Sequence, residues 1–224
     1  MTSLGMLQLV SPALPVGGFS YSEGLEWQIQ KEKIINESTL FEWLKAELLR
    51  GQIRLEASAQ SFIRDSLDDW QSTNEKNAIA DLVEWDNWLL ALRDSDKIRS
   101  QQKQMGQSLI QVLLKLGCSL PEEAKNFSWP SAWGCGGLFW KLSKVEVIEG
   151  YLYNWVANQL SAGIRLMPLG PTEAQQIQYS LLSLIEIQAK ELLTKNPHQL
   201  WTGDVGATIA QSSHSELYSR LFRS

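Results

Sequence analysis

The sequence has few of the residues that build disulfides and metal sites. Its 224 residues include two cysteines, Cys118 and Cys135, and two histidines, His198 and His214. Two isolated thiols make neither a disulfide framework nor a Cys-x-x-Cys site, so we expect both to be reduced and buried as small hydrophobic residues. The two imidazoles do not preform a metal site either. We therefore expect no resident metal or cofactor, while a transient metal site shared with a partner stays open.

The sequence also lacks an excess of positive charge and a long apolar run. It has 20 lysines and arginines against 25 aspartates and glutamates, a formal net charge of -5. Nucleic acids and anionic membranes are therefore not expected partners. The sequence shows no signal peptide and no run of the roughly 18 apolar residues that a membrane span needs. These absences predict a protein of the cytoplasm.

Motifs for nucleotide chemistry are missing as well. A P-loop needs a glycine-rich turn that ends in Lys and then Ser or Thr, and the sequence has no Gly-Lys pair. The glycines of WGCGG lack the spacing of a dinucleotide fingerprint. The segment GFSYS, residues 18–22, is similar to a nucleophile elbow but lacks its closing glycine. A hydrolase that uses His214 with a nearby serine is the alternative hypothesis from the class of enzymes.

Apolar residues at helical spacing are the main pattern that the sequence does contain. They predict one or two helices after Asn36, with Ser38 and Thr39 as caps and Glu42 completing a capping box. Further helices are predicted over 75–93, 98–116 with Gly117 after its end, 129–142 as a central buried helix, 145–166 and 172–193. Residues 119–122 begin a short helix or turn, with Pro121 at its first position. Strand-like alternation is scarce, so we predict an all-α single domain of about eight to ten helices.

The composition changes near residue 196. Pro197, Gly203 and Gly206 interrupt the helical pattern, and the final SELYSRLFRS is too short and too polar to hold a helix alone. We therefore divide the chain into a helical domain, residues 1–195, and a C-terminal partner-binding segment, residues 196–224. The segment is expected to be mobile until a partner binds it.

The loop SPALPVGGFSYSEGLE, residues 11–26, has a composition that suits protein contacts. Two prolines stiffen it and two adjacent glycines allow a tight turn, which fits a recognition loop better than a phosphate cradle. Ser20 and Glu23 are expected to cap the next helix. Phe19 and Tyr21 are then presented at the shoulder of the loop, or else both rings fill the core.

The C-terminal YSRLFRS, residues 218–224, is the second such segment. Its apolar Tyr218, Leu221 and Phe222 stand beside Arg220 and Arg223, and this combination is typical of binding hot spots. The alternative is a frayed tail.

These two segments resemble the opening and the ending of the UreF family of urease accessory proteins. The opening signature is matched by residues 11–26 after Leu7-Gln8-Leu9, and the ending by His214 and YSRLFRS. Three segments between them follow in the order of the family: RDSDKIRSQQKQMGQSL (93–109), WPSAWG (129–134) and YLYNWVANQLSAGIRLMPLG (151–170). The resemblance therefore spans nearly the whole chain.

The resemblance implies an all-helical, non-enzymatic chaperone that dimerises and docks with the accessory protein UreD, also called UreH. That complex would recruit the GTPase UreG and deliver nickel, with lysine carbamylation, to apo-urease. The resemblance also implies that the tail orders on UreD. The residues expected to bind partners are Phe19, Tyr21, His214, Tyr218, Ser219, Arg220, Leu221, Phe222, Arg223 and Ser224.

Five positions depart from the family pattern, among them Ser212 and Ser213, which stand where a Met and a basic residue are common. Pro171 replaces a glutamine and Ala174 a glycine, so the conformation of that turn is not carried over. Ser215 stands where a glutamate commonly follows the histidine. A direct nickel sensor is a third hypothesis, which retention of metal after dialysis would distinguish.

Overall fold

The computed structural model describes residues 4–18, 21–73, 76–93, 95–203, 206, 209–211 and 221–222. These residues form helices and loops and contain no β-strand. The α-helices are α1 Leu4–Leu9, α2 Leu25–Gln30, α3 Glu37–Arg50, α4 Ile53–Thr73, α5 Lys76–Ala91, α6 Asp96–Lys115, α7 Trp129–Phe139, α8 Lys144–Leu166 and α9 Pro171–Leu192. Two short 3-10 helices cover Glu122–Asn126 and Pro197–Gln199. The prediction of an all-α fold is confirmed.

Helix α7 lies at the centre of the fold, as its apolar sequence predicts. Every residue of α7 from Trp129 to Leu138 is buried, and α4, α5, α6 and α8 pack around it. Trp133 is fully buried, and its indole Nε1 donates a hydrogen bond of 3.0 Å to the backbone oxygen of Val147 in α8. Apolar packing and a satisfied indole together fix α8 against α7. Outside this layer, α9 packs on α3 and α8.

The N-terminus of α7 is held by a carboxylate from another helix. Asp86 of α5 is buried and accepts hydrogen bonds from the backbone nitrogen of Ser128 at 2.8 Å and from its hydroxyl at 2.6 Å. A negative charge at this end of a helix is favourable because the first backbone N–H groups have no partner inside the helix. The contact ties α5 to the start of α7.

The caps of the first long helices differ in part from the prediction. Helix α3 is capped by Asn36, whose side chain accepts a hydrogen bond from the backbone nitrogen of Thr39 at 3.0 Å. In return, the side chain of Thr39, the third helical residue, accepts one from the backbone nitrogen of Asn36. The predicted box of Ser38, Thr39 and Glu42 is therefore wrong by two to three residues. Gly117 follows the C-cap Leu116 of α6 with a φ of +89°, as expected for a residue after a helix end.

Two proline positions are also settled by the structure. Pro121 precedes the 3-10 helix as its N-cap instead of occupying the first helical position. Pro171 is the first residue of α9 after Gly170, where its missing N–H costs no helical hydrogen bond. Ala174 is buried, and its backbone nitrogen donates to the oxygen of Gly170 at 3.1 Å. The two departures from the family pattern thus fit an ordinary helix start.

The two cysteines have different surroundings. Cys135 of α7 is fully buried, and burial raises the pKa of its thiol. Cys118 is only half-buried, so the prediction that both are buried is wrong for Cys118. It follows the end of α6, where the chain turns near the surface. Among the helices that the structure describes, none is long and apolar enough to cross a membrane.

Candidate functional site

The segments that carry the family resemblance meet inside the protein. They contribute most members of one set of buried and half-buried polar side chains, which we call the polar cluster. It comprises Glu23 from the loop before α2, Glu56 from α4, Arg93 after α5, Gln101 from α6, and Tyr151 and Trp155 from α8. The cluster therefore joins the N-terminal loop and the turn after α5 to three helices.

The centre of the polar cluster is a buried ion pair. Arg93 Nη2 donates to Glu56 Oε1, and the two side chains are 4% and 3% exposed. Arg93 Nη1 donates to Gln52 Oε1 at 2.8 Å, and the Tyr151 hydroxyl donates to Glu56 Oε2 at 2.7 Å. Burial alone lowers the pKa of Arg93, but the charges of Glu56 and Glu23 outweigh it, so the pKa lies above its ordinary value. Arg93 therefore stays charged.

Glu23 is the second carboxylate of the polar cluster. It accepts hydrogen bonds from Trp155 Nε1 at 2.9 Å and from Gln101 Nε2 at 3.3 Å. Burial raises the pKa of Glu23, and the positive charge of Arg93 offsets part of that rise. The expected cap made by Ser20 and Glu23 is not formed by Glu23, whose carboxylate lies in this cluster, and Ser20 lies outside the described residues. Helix α2 instead begins after Gly24.

A small cavity of about 20 Å³ borders the polar cluster. Glu23, Glu56, Gln101, Gln102 and Gln159 contribute to its lining. The side-chain oxygens of Gln102 and Gln159 are buried and have no hydrogen-bond partner. A cavity of this volume has room for one water-sized molecule.

Tyr21 lies in the wall of this cavity and not at the protein surface. Its side chain is 7% exposed, and its hydroxyl donates to Gln104 Oε1 at 3.0 Å. The expectation that the loop presents this ring is wrong, and the alternative that the ring fills the core holds for Tyr21. Phe19 lies outside the described residues.

Two residues of the C-terminal tail pack against the helical domain. The backbone nitrogens of Leu221 and Phe222 donate to the carboxylate of the buried Glu26 in α2, at 2.6 and 3.2 Å. The ring of Phe222 is 4% exposed and lies 4.4 Å from the guanidinium of Arg165 in α8, whereas Leu221 is 62% exposed. The other tail residues expected to bind partners lie outside the described residues: His214, Tyr218, Ser219, Arg220, Arg223 and Ser224.

The comparisons with known proteins all indicate the same family. A family model described as UreF matches residues 34–182. The urease accessory protein UreF of Prochlorococcus marinus (strain AS9601) is 40% identical over 217 residues, 96% of this chain and 95% of that protein. Its namesake from strain MIT 9215 is 40% identical over 220 residues with the same coverage. The namesake from Synechocystis sp. (strain ATCC 27184 / PCC 6803 / Kazusa) is 36% identical over 231 residues, 99% of this chain and 97% of that protein.

The chain belongs to the UreF family. It is therefore an accessory protein and not an enzyme, and the hydrolase hypothesis is wrong. The ring of His198, the histidine that the structure describes, lies 5.1 Å from that of Trp85 and 4.4 Å from that of Trp88. His214 lies outside the described residues. Among the described residues, no group of three or more His, Cys, Asp or Glu could hold a metal ion.

Sequence reasoning missed the polar cluster of this UreF protein. Glu23, Arg93, Gln101, Tyr151 and Trp155 all lie within segments that carry the resemblance. The presence of charged residues inside such segments could therefore have identified Glu23 and Arg93 as candidate functional residues. Glu56 lies outside them, and only the structure assigns it to the cluster.

Proposed function

We propose that this protein is a scaffold in urease maturation that binds UreD (UreH) and, with it, recruits the GTPase UreG. The assembly would deliver nickel to the urease apoprotein, and this chain would perform no bond chemistry of its own. Membership of the UreF family supports the role in urease maturation. The single structural observation that carries the proposal is the placement of Leu221 and Phe222 against the helical domain.

The polar cluster supports a structural role for the charges inside the domain. The carboxylate of Glu56 accepts from Arg93 and Tyr151, so its two oxygens are engaged within the protein. Both Glu56 and Arg93 are buried, which leaves little of either side chain for a partner. We infer that the cluster fixes the N-terminal loop and the helices relative to one another. Partners would then bind at the outer surface of the domain.

In this proposal, the C-terminal tail forms the contact with the partner protein. Glu26 fixes the backbone of Leu221 and Phe222, and Arg165 covers the ring of Phe222. Of the two tail residues that the structure describes, Phe222 is turned inward and Leu221 is exposed and open to a partner. We propose that YSRLFRS contacts UreD through Leu221 and its flanking arginines, with Phe222 as the internal anchor. Such an apolar side chain with neighbouring arginines suits an interface hot spot.

Retention of UreD by immobilised full-length protein tests this proposal. Deleting residues 215–224 is expected to abolish retention, and Leu221→Asp to weaken it about 30-fold or more, because a hot spot loses about 2 kcal/mol or more. Ile187→Asp in α9 is the matched control, since Ile187 is 61% exposed against 62% for Leu221. UreD binding by the truncated chain as tight as by the intact chain would refute the role of the tail.

We further propose that the protein is a homodimer and works in the cytoplasm. Exposed apolar residues of α1 support a self-contact, because Leu4 and Leu7 are 83% and 55% exposed. Light scattering on the eluting protein should give twice the chain mass of 25.3 kDa. A single-chain mass at micromolar concentration would refute the dimer without affecting the test of the tail.

A further inference from the structure

The polar cluster contains an imbalance of charge. Its ionisable groups are the carboxylates of Glu23 and Glu56, the guanidinium of Arg93 and the neutral phenol of Tyr151. Two carboxylates face one guanidinium, which leaves the half-buried Glu23 without a counter-charge of its own. The nearby Arg99 donates to the backbone oxygen of Arg93, but its own charge is paired with Asp96.

Two buried glutamines with an unpartnered side-chain oxygen line the same cavity. Gln102 and Gln159 are 3% and 2% exposed, both line the cavity beside Glu23, and the side-chain oxygen of each lacks a hydrogen-bond partner. Leaving a buried oxygen unpaired is costly, so each calls for an explanation. Turning a glutamine amide by half a turn exchanges its oxygen and nitrogen without changing its shape, so either oxygen can be directed into the cavity.

We propose that the cavity between Glu23, Gln102 and Gln159 binds one monovalent cation, such as Na⁺, K⁺ or ammonium. The donors are a carboxylate and amide oxygens, the hard ligands that such cations take. The cavity of about 20 Å³ fits one ion without its water shell. One positive charge restores neutrality to the polar cluster, whereas a divalent ion would leave an excess of positive charge.

The binding energy would act on the fold because the site joins three parts of the chain. Glu23 lies before α2, Gln102 in α6 and Gln159 in α8. The site exists only when these parts are assembled, so the ion binds the folded state and not the unfolded one. A ligand of this kind stabilises the folded protein in proportion to the logarithm of its concentration.

The melting temperature of the full chain in different chloride salts tests the proposal. At pH 8 and constant ionic strength, Na⁺, K⁺ or ammonium should raise it with the logarithm of the cation concentration, relative to choline, which is too large for the cavity. At a concentration about ten times Kd, the folding constant rises about 11-fold, which corresponds to roughly 3–6 °C. Glu23→Gln should abolish the difference between salts, and Glu123→Gln on the surface should retain it.

Three results would overturn the proposal. The first is an equal melting temperature in choline and in all three test cations, which would leave water as the occupant. The second is an unchanged salt response in Glu23→Gln. The third is a larger effect of Mg²⁺ at equal ionic strength. If Glu23→Gln does not fold, crystals grown in rubidium chloride decide: anomalous density in the cavity supports the site, and its absence there overturns it.

Discussion

Replacement of Arg93 by methionine is the sharpest test of the polar cluster. The side chain is 4% exposed and is the positive member of the buried pair with Glu56. Arg93→Met keeps an apolar side chain of similar length but leaves the carboxylates of Glu56 and Glu23 without a counter-charge. Removing one partner of a buried ion pair costs about 3–5 kcal/mol. For a chain of this size, that loss lowers the melting temperature by about 6–20 °C.

Urea unfolding followed by tryptophan fluorescence measures this loss, and a double variant isolates its cause. If the unpaired charge of Glu56 is responsible, adding Glu56→Gln to Arg93→Met should recover part of the lost free energy, with a coupling of about 2 kcal/mol. Lys125→Met is the control, because its pair with Glu122 is exposed and contributes about 0–1 kcal/mol. A loss below about 1 kcal/mol for Arg93→Met, or losses that simply add in the double variant, would refute the reasoning.

Three further predictions concern packing and helix ends. Asp86→Ala leaves the buried nitrogen and hydroxyl of Ser128 without their acceptor, so urea unfolding should show a loss of about 1–3 kcal/mol, and an unchanged midpoint would contradict the cap. Gly106→Ala places a Cβ against the backbone oxygen of Phe127, so it should cost about 1–3 kcal/mol by the same assay, and a neutral result would contradict the close approach. A thiol reagent should modify Cys118 in the folded protein and Cys135 only after unfolding, because Cys135 is fully buried; equal rates would contradict this.

The long helices could be predicted from the sequence. Apolar spacing predicted 145–166 and 172–193, and the structure has Lys144–Leu166 and Pro171–Leu192. Both are amphipathic over many turns, and the prolines and glycine between them force a break. The central α7 was also predictable, because an almost wholly apolar segment with small residues suits a helix packed on all sides.

Helix ends were harder to predict because several residues compete for one role. Asn36, Ser38 and Thr39 can all cap a helix, and local preference alone does not choose among them. The structure selects Asn36, and Thr39 then completes the box. Pro121 is a similar case, because it is the N-cap of its 3-10 helix and not, as predicted, the first helical residue.

The polar cluster could not be read from local pattern. Arg93 and Glu56 are 37 positions apart and Tyr151 and Glu56 are 95 apart, so no helical period relates them. Glu56 also lies in the first half of α4, where every residue from Ile53 to Ser61 is buried. An ordinary amphipathic pattern would place a glutamate there on the solvent face. Only the packing of α4 against α7 and α8 explains why it is inside.

Nickel loading of urease tests the central proposal most directly. Apo-urease would be incubated with UreD, UreG, GTP, bicarbonate and nickel, with and without this protein, and the bound nickel and urease activity measured together. We expect both to rise strongly when the intact chain is present and to fall back when residues 215–224 are deleted. Equal nickel content and activity with and without the chain would contradict its role as the scaffold.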